Sequence, residues 1–273
     1  NNATTPVDPR VLEAMMPYFT DKFGNASSKH SFGYIANAAV EHAREQIAKL
    51  INADTNEIYF TSGATESINL VHFGTAEKFL NKRNHIISSN VEHSASYESL
   101  LQLQKKGVEV SFTRCDAKGF IHPEIIVDEI NADTFLVSII AANNEIGTIN
   151  NISEIGNLCR NNNILFHTDA TQAVGKIKID VKEMNIEFMS FSSHKIYGPK
   201  GVGALFIRKG SEDKILPLMF GGGQEKGIRP GTLNTPAIVG FGKAAEICSA
   251  ELEAESKRIR QLRDYFYKKI ASN

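Results

Sequence analysis

Between Asp169 and Gly203 the chain carries Asp169-Ala170-Thr171-Gln172, then Ser190-Phe191-Ser192-Ser193-His194-Lys195, then Gly198-Pro199-Lys200-Gly201-Val202-Gly203. A carboxylate, an amine and several hydroxyl and imidazole donors therefore fall within a short span, at the ends of apolar runs. A carboxylate at the end of a buried strand is costly unless it meets a cation. A lysine in a partly desolvated pocket has its neutral, nucleophilic amine favoured. Together these groups suit a ligand with a basic ring nitrogen, an aldehyde and a phosphate.

Pyridoxal 5′-phosphate is the cofactor with those three groups, and it turns a protonated pyridine into an electron sink. In that reading Asp169 pairs with the ring nitrogen, Lys195 meets the aldehyde, and Gln172 donates to the phenolic oxygen. Ser192 and His194 alternate along what reads as an extended segment, so both point towards a phosphate while Lys195 faces the other way. Each residue taken singly also has an ordinary explanation: Asp169 as a turn or cap, Gln172 as a loop residue, Lys195 as a solvated charge.

Other segments offer further partners. Ser62-Gly63-Ala64-Thr65-Glu66 is a tight strand-to-helix turn. It reads either as a capping box or as a phosphate site of free helix amides with a Thr hydroxyl beside them. It is not a P-loop, because no Gly-Lys-Ser/Thr ending follows. His93, after Asn90-Val91-Glu92, reads as a structural histidine or as an acid–base group stacked on a ring. Thr232, in a glycine-rich loop from Gly221, is another candidate phosphate donor, to a neighbouring subunit. The remaining histidines show no paired metal spacing, and no metal site is expected.

These residues need a frame that brings strand ends together. Strands are expected at residues 57–61, 85–89, 108–113, 134–141, 164–168, 188–192 and 203–208, with amphipathic helices between several of them. Ser153 is expected to cap one helix, and Thr235-Pro236 to open a long final one. The alternation calls for an α/β fold, a mainly parallel seven-stranded sheet with helices on both faces. Ligands of such sheets sit beyond the carboxyl ends of the strands, where the candidate residues fall.

Composition agrees with an ordinary globular chain. It has 273 residues, 42% hydrophobic and 22% charged, with a formal net charge of −1. No basic field is present to attract nucleic acid, and no apolar run approaches the length of a membrane span. The chain has 3 cysteines, too few for a disulfide framework. No secretory leader is visible, and a cytoplasmic setting is the expectation.

The ordered motifs resemble the NifS/IscS-type cysteine desulfurases, members of the class V aminotransferase family with the fold type I architecture. The resemblance runs through Asn2-Ala3-Thr4-Thr5-Pro6, Gly24-Asn25, Thr61 to Glu66, Glu92-His93, Asn143 to Gly147, Asp169 to Gln172, Ser192 to Gly203 and Arg229 to Leu233. It implies that Lys195 binds the cofactor covalently and shuttles protons, and that His93 stacks on the ring and assists. Asp169 is implied at the ring nitrogen, and Gln172 and Asn144 at the phenolic oxygen and the substrate side. It further implies Ala64 (through its amide), Thr65, Ser192 and His194 at the phosphate, with Thr232 reaching the partner's site in a homodimer. The implied reaction takes L-cysteine to L-alanine and delivers sulfur as a persulfide to a sulfur acceptor or iron–sulfur scaffold protein, for cluster and thio-cofactor assembly.

The family's nucleophilic-cysteine loop has no counterpart here, and Ala26 and Pro230 stand where the family usually has Pro and Ser. The expectation is a large cofactor-binding domain over residues 1–250. Residues 251–273 would continue the last helix towards a small C-terminal domain outside this sequence. Another class V enzyme, a selenocysteine lyase or an aminotransferase, is the nearest alternative. A non-catalytic cofactor-binding or partner-binding remnant is the other.

Overall fold

The computed structural model describes residues 1–271. Its helices are α1 (Pro9–Met15), α2 (Ser31–Leu50), α3 (Ala64–Phe79), α4 (Ser94–Lys105), α5 (Pro123–Glu129), α6 (Ile152–Asn161) and α7 (Thr235–Ala271). Its strands are β1 (Ile58–Thr61), β2 (His85–Ser89), β3 (Glu109–Thr113), β4 (Thr134–Ser138), β5 (Leu165–Asp169), β6 (Phe188–Ser192) and β7 (Gly203–Ile207). They form one 7-stranded sheet in the order β1-β7-β6-β5-β4-β2-β3. Pairing is parallel throughout except around β7, which runs antiparallel to β6 and to β1.

Strands β1, β2, β4, β6 and β7 are buried at every residue, because helices cover both faces. Alternation assigns the faces. Ile58, Phe60, Phe166, Met189 and Phe191 join the core under α1, α2, α6 and α7. Tyr59, Ile86, Leu136 and Phe188 join the core under α3 and α4. By the same period of two, His167, Asp169, Ser190 and Ser192 project to the α3 side. That parity places the candidate residues of β5 and β6 on one face.

Three caps differ from the sequence expectation. Asn151, not Ser153, caps α6 by accepting from the Glu154 amide at 3.3 Å. Asn234, not Thr235, caps α7 by accepting from the Ala237 amide at 3.2 Å, so Pro236 sits in the second helical position. Gly63, not Ser62, precedes α3, and the Ser62 amide instead donates to Glu66 Oε2 at 2.7 Å. In each case the residue at the cap position lies one or two positions from the one expected.

Candidate active site

A cavity of about 480 Å³ opens beyond the carboxyl ends of β2, β4, β5 and β6. Ala64, Thr65, His93, Asn144, Asp169, Gln172, Ser192, His194 and Lys195 all line it, joined by residues of the N-terminal segment. Thr232 does not line it; it is exposed on the loop before α7.

One end of the cavity is the start of α3. Gly63 has φ 156°, and no side chain caps this 16-residue helix. The first amides of a helix lack intrahelical acceptors, so this terminus presents donors and a partial positive charge to the cavity. The turn is also tight against β7: a Cβ on Gly203 would sit 2.6 Å from Gly63 Cα and 2.8 Å from Phe191 O. Ser192, Lys200 and Gly201 also line the cavity. Arg229 Nε donates to Glu66 Oε1 at 2.6 Å, which ties the glycine-rich loop to α3.

Asp169 lies at the end of β5 and is 3% exposed. Burial pushes its carboxyl above the ordinary value, opposed by hydrogen bonding to Thr171 and by weaker electrostatic attraction to His93 and Lys195. The Thr171 amide donates to its Oδ1 at 2.9 Å, and no arginine or lysine forms an ion pair with it among the described residues. It is a buried acid short of a cation. His93 precedes α4, and its Nδ1 accepts from the Ala95 amide at 3.1 Å. A neutral ring therefore carries its proton on Nε2.

Lys195 lies in a 3-10 turn, Ser193–Lys195, not in an extended segment. Lys195 therefore does not face away from Ser192 and His194, and all three reach one cavity. Its Nζ donates to the carbonyls of Asn2 and Ala3, each at 2.9 Å. Burial lowers its proton affinity, and the Asp169 charge works against that. His194 is fixed by the same segment: Thr4 Oγ1 meets its Nδ1, and the Thr5 amide donates to its carbonyl, both at 3.0 Å. Burial and the charges of Lys195, Lys200 and Lys176 lower its proton affinity.

Several partners here were not read from the sequence. Gln172 Nε2 donates to Asn2 O at 3.1 Å, and its Oε1 accepts from Lys176, whose amine burial lowers to about 8. Asn2 Nδ2 in turn donates to the Asn144 carbonyl. Beneath the cavity a polar chain runs through the core: Ser99 Oγ donates to Ser96 O at 2.8 Å and meets His72 Nδ1 at 2.7 Å. His72 Nε2 then meets Ser138 Oγ at 2.9 Å, Ser138 meets His167 Nδ1 at 2.8 Å, and His167 Nε2 meets Ser190 Oγ at 2.9 Å. With the Ser99 proton committed to Ser96, every later donor is determined, and both rings are neutral with Nδ1 protonated. His167 stands two residues before Asp169 on the same face, a signal that period two makes available.

No cysteine lines the cavity. Cys159 is buried, and burial raises its thiol. Cys248, on α7, lines a neighbouring cavity of about 640 Å³ that shares Lys195, and burial pushes its thiol up to about 11. Among the described residues no group of three or more His, Cys, Asp or Glu is placed to hold a metal ion, and no helix is long and apolar enough to cross a membrane.

A mainly parallel α/β sheet that brings a lysine and a buried acid to neighbouring strand ends places the chain among the α/β proteins that bind ligands at the sheet's carboxyl edge. The chain belongs to the aminotransferase class-V family, whose model matches residues 1–273. It is 51% identical over 269 residues to the cysteine desulfurase IscS of Rickettsia massiliae (strain Mtu5), covering 98% of this chain and 66% of that protein. Over 271 residues it is 52% identical to the cysteine desulfurase IscS of Rickettsia typhi (strain ATCC VR-144 / Wilmington), covering 99% of this chain and 66% of the relative. Among solved structures it superposes on a NifS-like protein with a TM-score of 0.96 at 42% identity, covering 99% of this chain and 74% of that one. It also matches SspA in complex with cysteine, with a TM-score of 0.88 at 44% identity, covering 90% and 71%. The chain thus spans 66% of the length of these curated relatives, just under two thirds.

Proposed function

We propose that the cavity binds pyridoxal 5′-phosphate and that the whole protein is a cysteine desulfurase, taking L-cysteine to L-alanine and passing the sulfur on as a persulfide. The observation that carries the reading is the meeting of Lys195 and the cation-short Asp169 in one cavity with the uncapped start of α3. The residues fit the cofactor at each of its ends. A dianionic phosphate suits the α3 amides of Ala64 and Thr65 with Ser192 and His194 beside them. A protonated ring nitrogen is the partner Asp169 lacks.

Bound there, the cofactor supplies an electron sink conjugated to the substrate α-carbon. The chain's own groups do the rest. Asp169 holds the proton on the ring nitrogen. Lys195, whose proton affinity burial lowers, would hold the aldehyde end of the cofactor and carry protons at the substrate carbon. His93 would cover the ring and assist the acid–base steps, while Gln172 and Asn144 would serve the phenolic oxygen and the substrate side. Thr232, exposed in this chain, is assigned to the partner's phosphate in a homodimer. The similarity to SspA, described in complex with cysteine, supports L-cysteine as substrate.

The sulfur needs an acceptor thiol, and none of Cys115, Cys159 and Cys248 lines the cavity. The persulfide-bearing cysteine of this reading lies outside the described residues, and an iron–sulfur scaffold or other acceptor protein would take the sulfur from it. The exposed apolar side chains Ile259, Leu262 and Phe266 support residues 251–273 as a connection to a further domain. A cytoplasmic setting belongs to the same reading. The test is product analysis of the whole protein supplied with pyridoxal phosphate, L-cysteine and a thiol reductant. L-alanine and sulfide in equal amounts are expected; a keto acid would make it an aminotransferase, and no product with cofactor bound would favour the non-catalytic reading.

A further inference from the structure

Glu92 precedes His93 in the turn between β2 and α4, and the proposed chemistry gives it no task. Its Oε1 accepts from Ser89 Oγ at 2.6 Å and from the Ile140 amide at 2.9 Å. Its Oε2 is closed off from solvent and has no hydrogen-bond partner. The next amide along, Ala141, donates to the carbonyl of Asp169 at 2.9 Å. One dipeptide beyond β4 therefore binds the Glu92 side chain with one amide and the Asp169 backbone with the other.

The groups packed on Glu92 are neutral donors from β2 and from the segment after β4. The charged group that bears on it is Asp169 of β5, whose sign opposes ionisation. An ionised Glu92 would place a second unpaired negative charge in the core beside the first. A neutral acid avoids that and still accepts both hydrogen bonds at Oε1. We infer that Glu92 is a positioning residue held as a neutral carboxylic acid, fastening the His93 turn to the end of β4 and leaving Asp169 as the anion that meets a ring cation. Burial, pushing the Glu92 carboxyl up to about 8, acts in the same direction.

The role towards the ring rests on the cofactor reading above; the protonation state does not, and it is measured without cofactor. Infrared spectra of the protein at about pH 7 should contain a carboxylic-acid carbonyl band that is lost in Glu92→Gln and fades as the pH passes about 8. Should Glu92→Gln fail to fold, carbon-13 labelling of glutamate in a Glu187→Gln background makes the assignment, because Glu187 is the other glutamate that burial raises, to about 7. Absence of the band overturns the inference. In equilibrium titration with pyridoxal phosphate, Glu92→Gln should stay within about threefold of the parent while Glu92→Ala weakens by about tenfold or more. Equal losses in both variants would overturn the positioning role. A parent protein that binds no pyridoxal phosphate would defeat the cofactor reading and leave the infrared result standing.

Discussion

The Lys195 amine donates to the carbonyl oxygens of Asn2 and Ala3, at 2.9 Å each, across 193 and 192 residues of sequence. The same Asn2 carbonyl accepts from Gln172 Nε2 at 3.1 Å, and Thr5 donates to the His194 carbonyl. The first residues thus form a strap that holds the site lysine between two cavities. An amine held by neutral carbonyls, with burial lowering its proton affinity, is ready to exchange those contacts for a carbonyl carbon.

Replacing Asp169 with Asn should separate binding from stability. The variant loses a charge-assisted hydrogen bond to a ring cation, about 1.5–3 kcal/mol, or roughly 10- to 150-fold in the Kd for pyridoxal phosphate. Burial raises the Asp169 carboxyl, so its ionised form is a burden on the free fold. Urea unfolding of the cofactor-free variant should therefore show equal or greater stability at neutral pH.

The buried histidines set an acid limit. Burial lowers His72 to about 3 and His167 well below its ordinary value, so the unfolded chain binds protons that the folded chain refuses. Their contribution is complete above about pH 6.5 and is lost as pH falls, by about 2 kcal/mol at pH 5 for His72. Glu92 acts with the opposite sign: its raised value makes its contribution complete at low pH and lost as pH rises to about 8. Urea midpoints of His72→Gln should fall less steeply between about pH 7 and pH 5 than those of the parent. A parallel fall would contradict the neutral-histidine chain.

Gly203→Ala tests the turn that shapes the α3 end of the cavity. Its Cβ would meet Gly63 Cα at 2.6 Å and Gly63 C at 2.8 Å, both backbone atoms that cannot rotate away. The expected cost is about 1–3 kcal/mol of stability, with weakened pyridoxal phosphate binding, read by thermal melting and cofactor titration.

Arg44 and Glu225 form a buried bidentate pair at 2.8 and 2.9 Å, and Glu225 also accepts from the Phe60 amide at 2.7 Å. The pair fastens the loop bearing Thr232 to β1. Glu225→Gln should cost about 1.5–3 kcal/mol by removing the charged acceptor of the pair, with Glu41 left as the remaining carboxylate 3.3 Å from Arg44 Nε. The double replacement of Arg44 and Glu225 by Met and Leu should cost less than the two single changes added together, as a double-mutant cycle in urea would measure.

Much of this architecture is legible in the sequence, for a physical reason. The strands are short apolar runs because both faces are covered, and ligand groups stand at their ends because parallel sheets expose their ends to ligands. Asp169, Lys195 and His93 were reachable in that way. The strap at Asn2 and the Arg44–Glu225 pair were not, since their partners lie 193 and 181 residues away and no local period joins them. The 3-10 turn at Ser193–Lys195 was missed because an alternating pattern of polar residues reads as extended chain until the hydrogen bond from the Ile196 amide to Ser193 O closes it. Caps shifted by a residue or two for a similar reason: several neighbouring polar side chains suit the same terminus.

The central claim is that Lys195 is the amine that engages the cofactor, and borohydride reduction tests it most directly. The protein is mixed with pyridoxal phosphate, reduced and digested, and the pyridoxyl group is located by peptide mass spectrometry. A single major label on Lys195, absent from Lys195→Ala, is the result the account predicts. A label on Lys176 or Lys200, or none while the cofactor is bound, would contradict it.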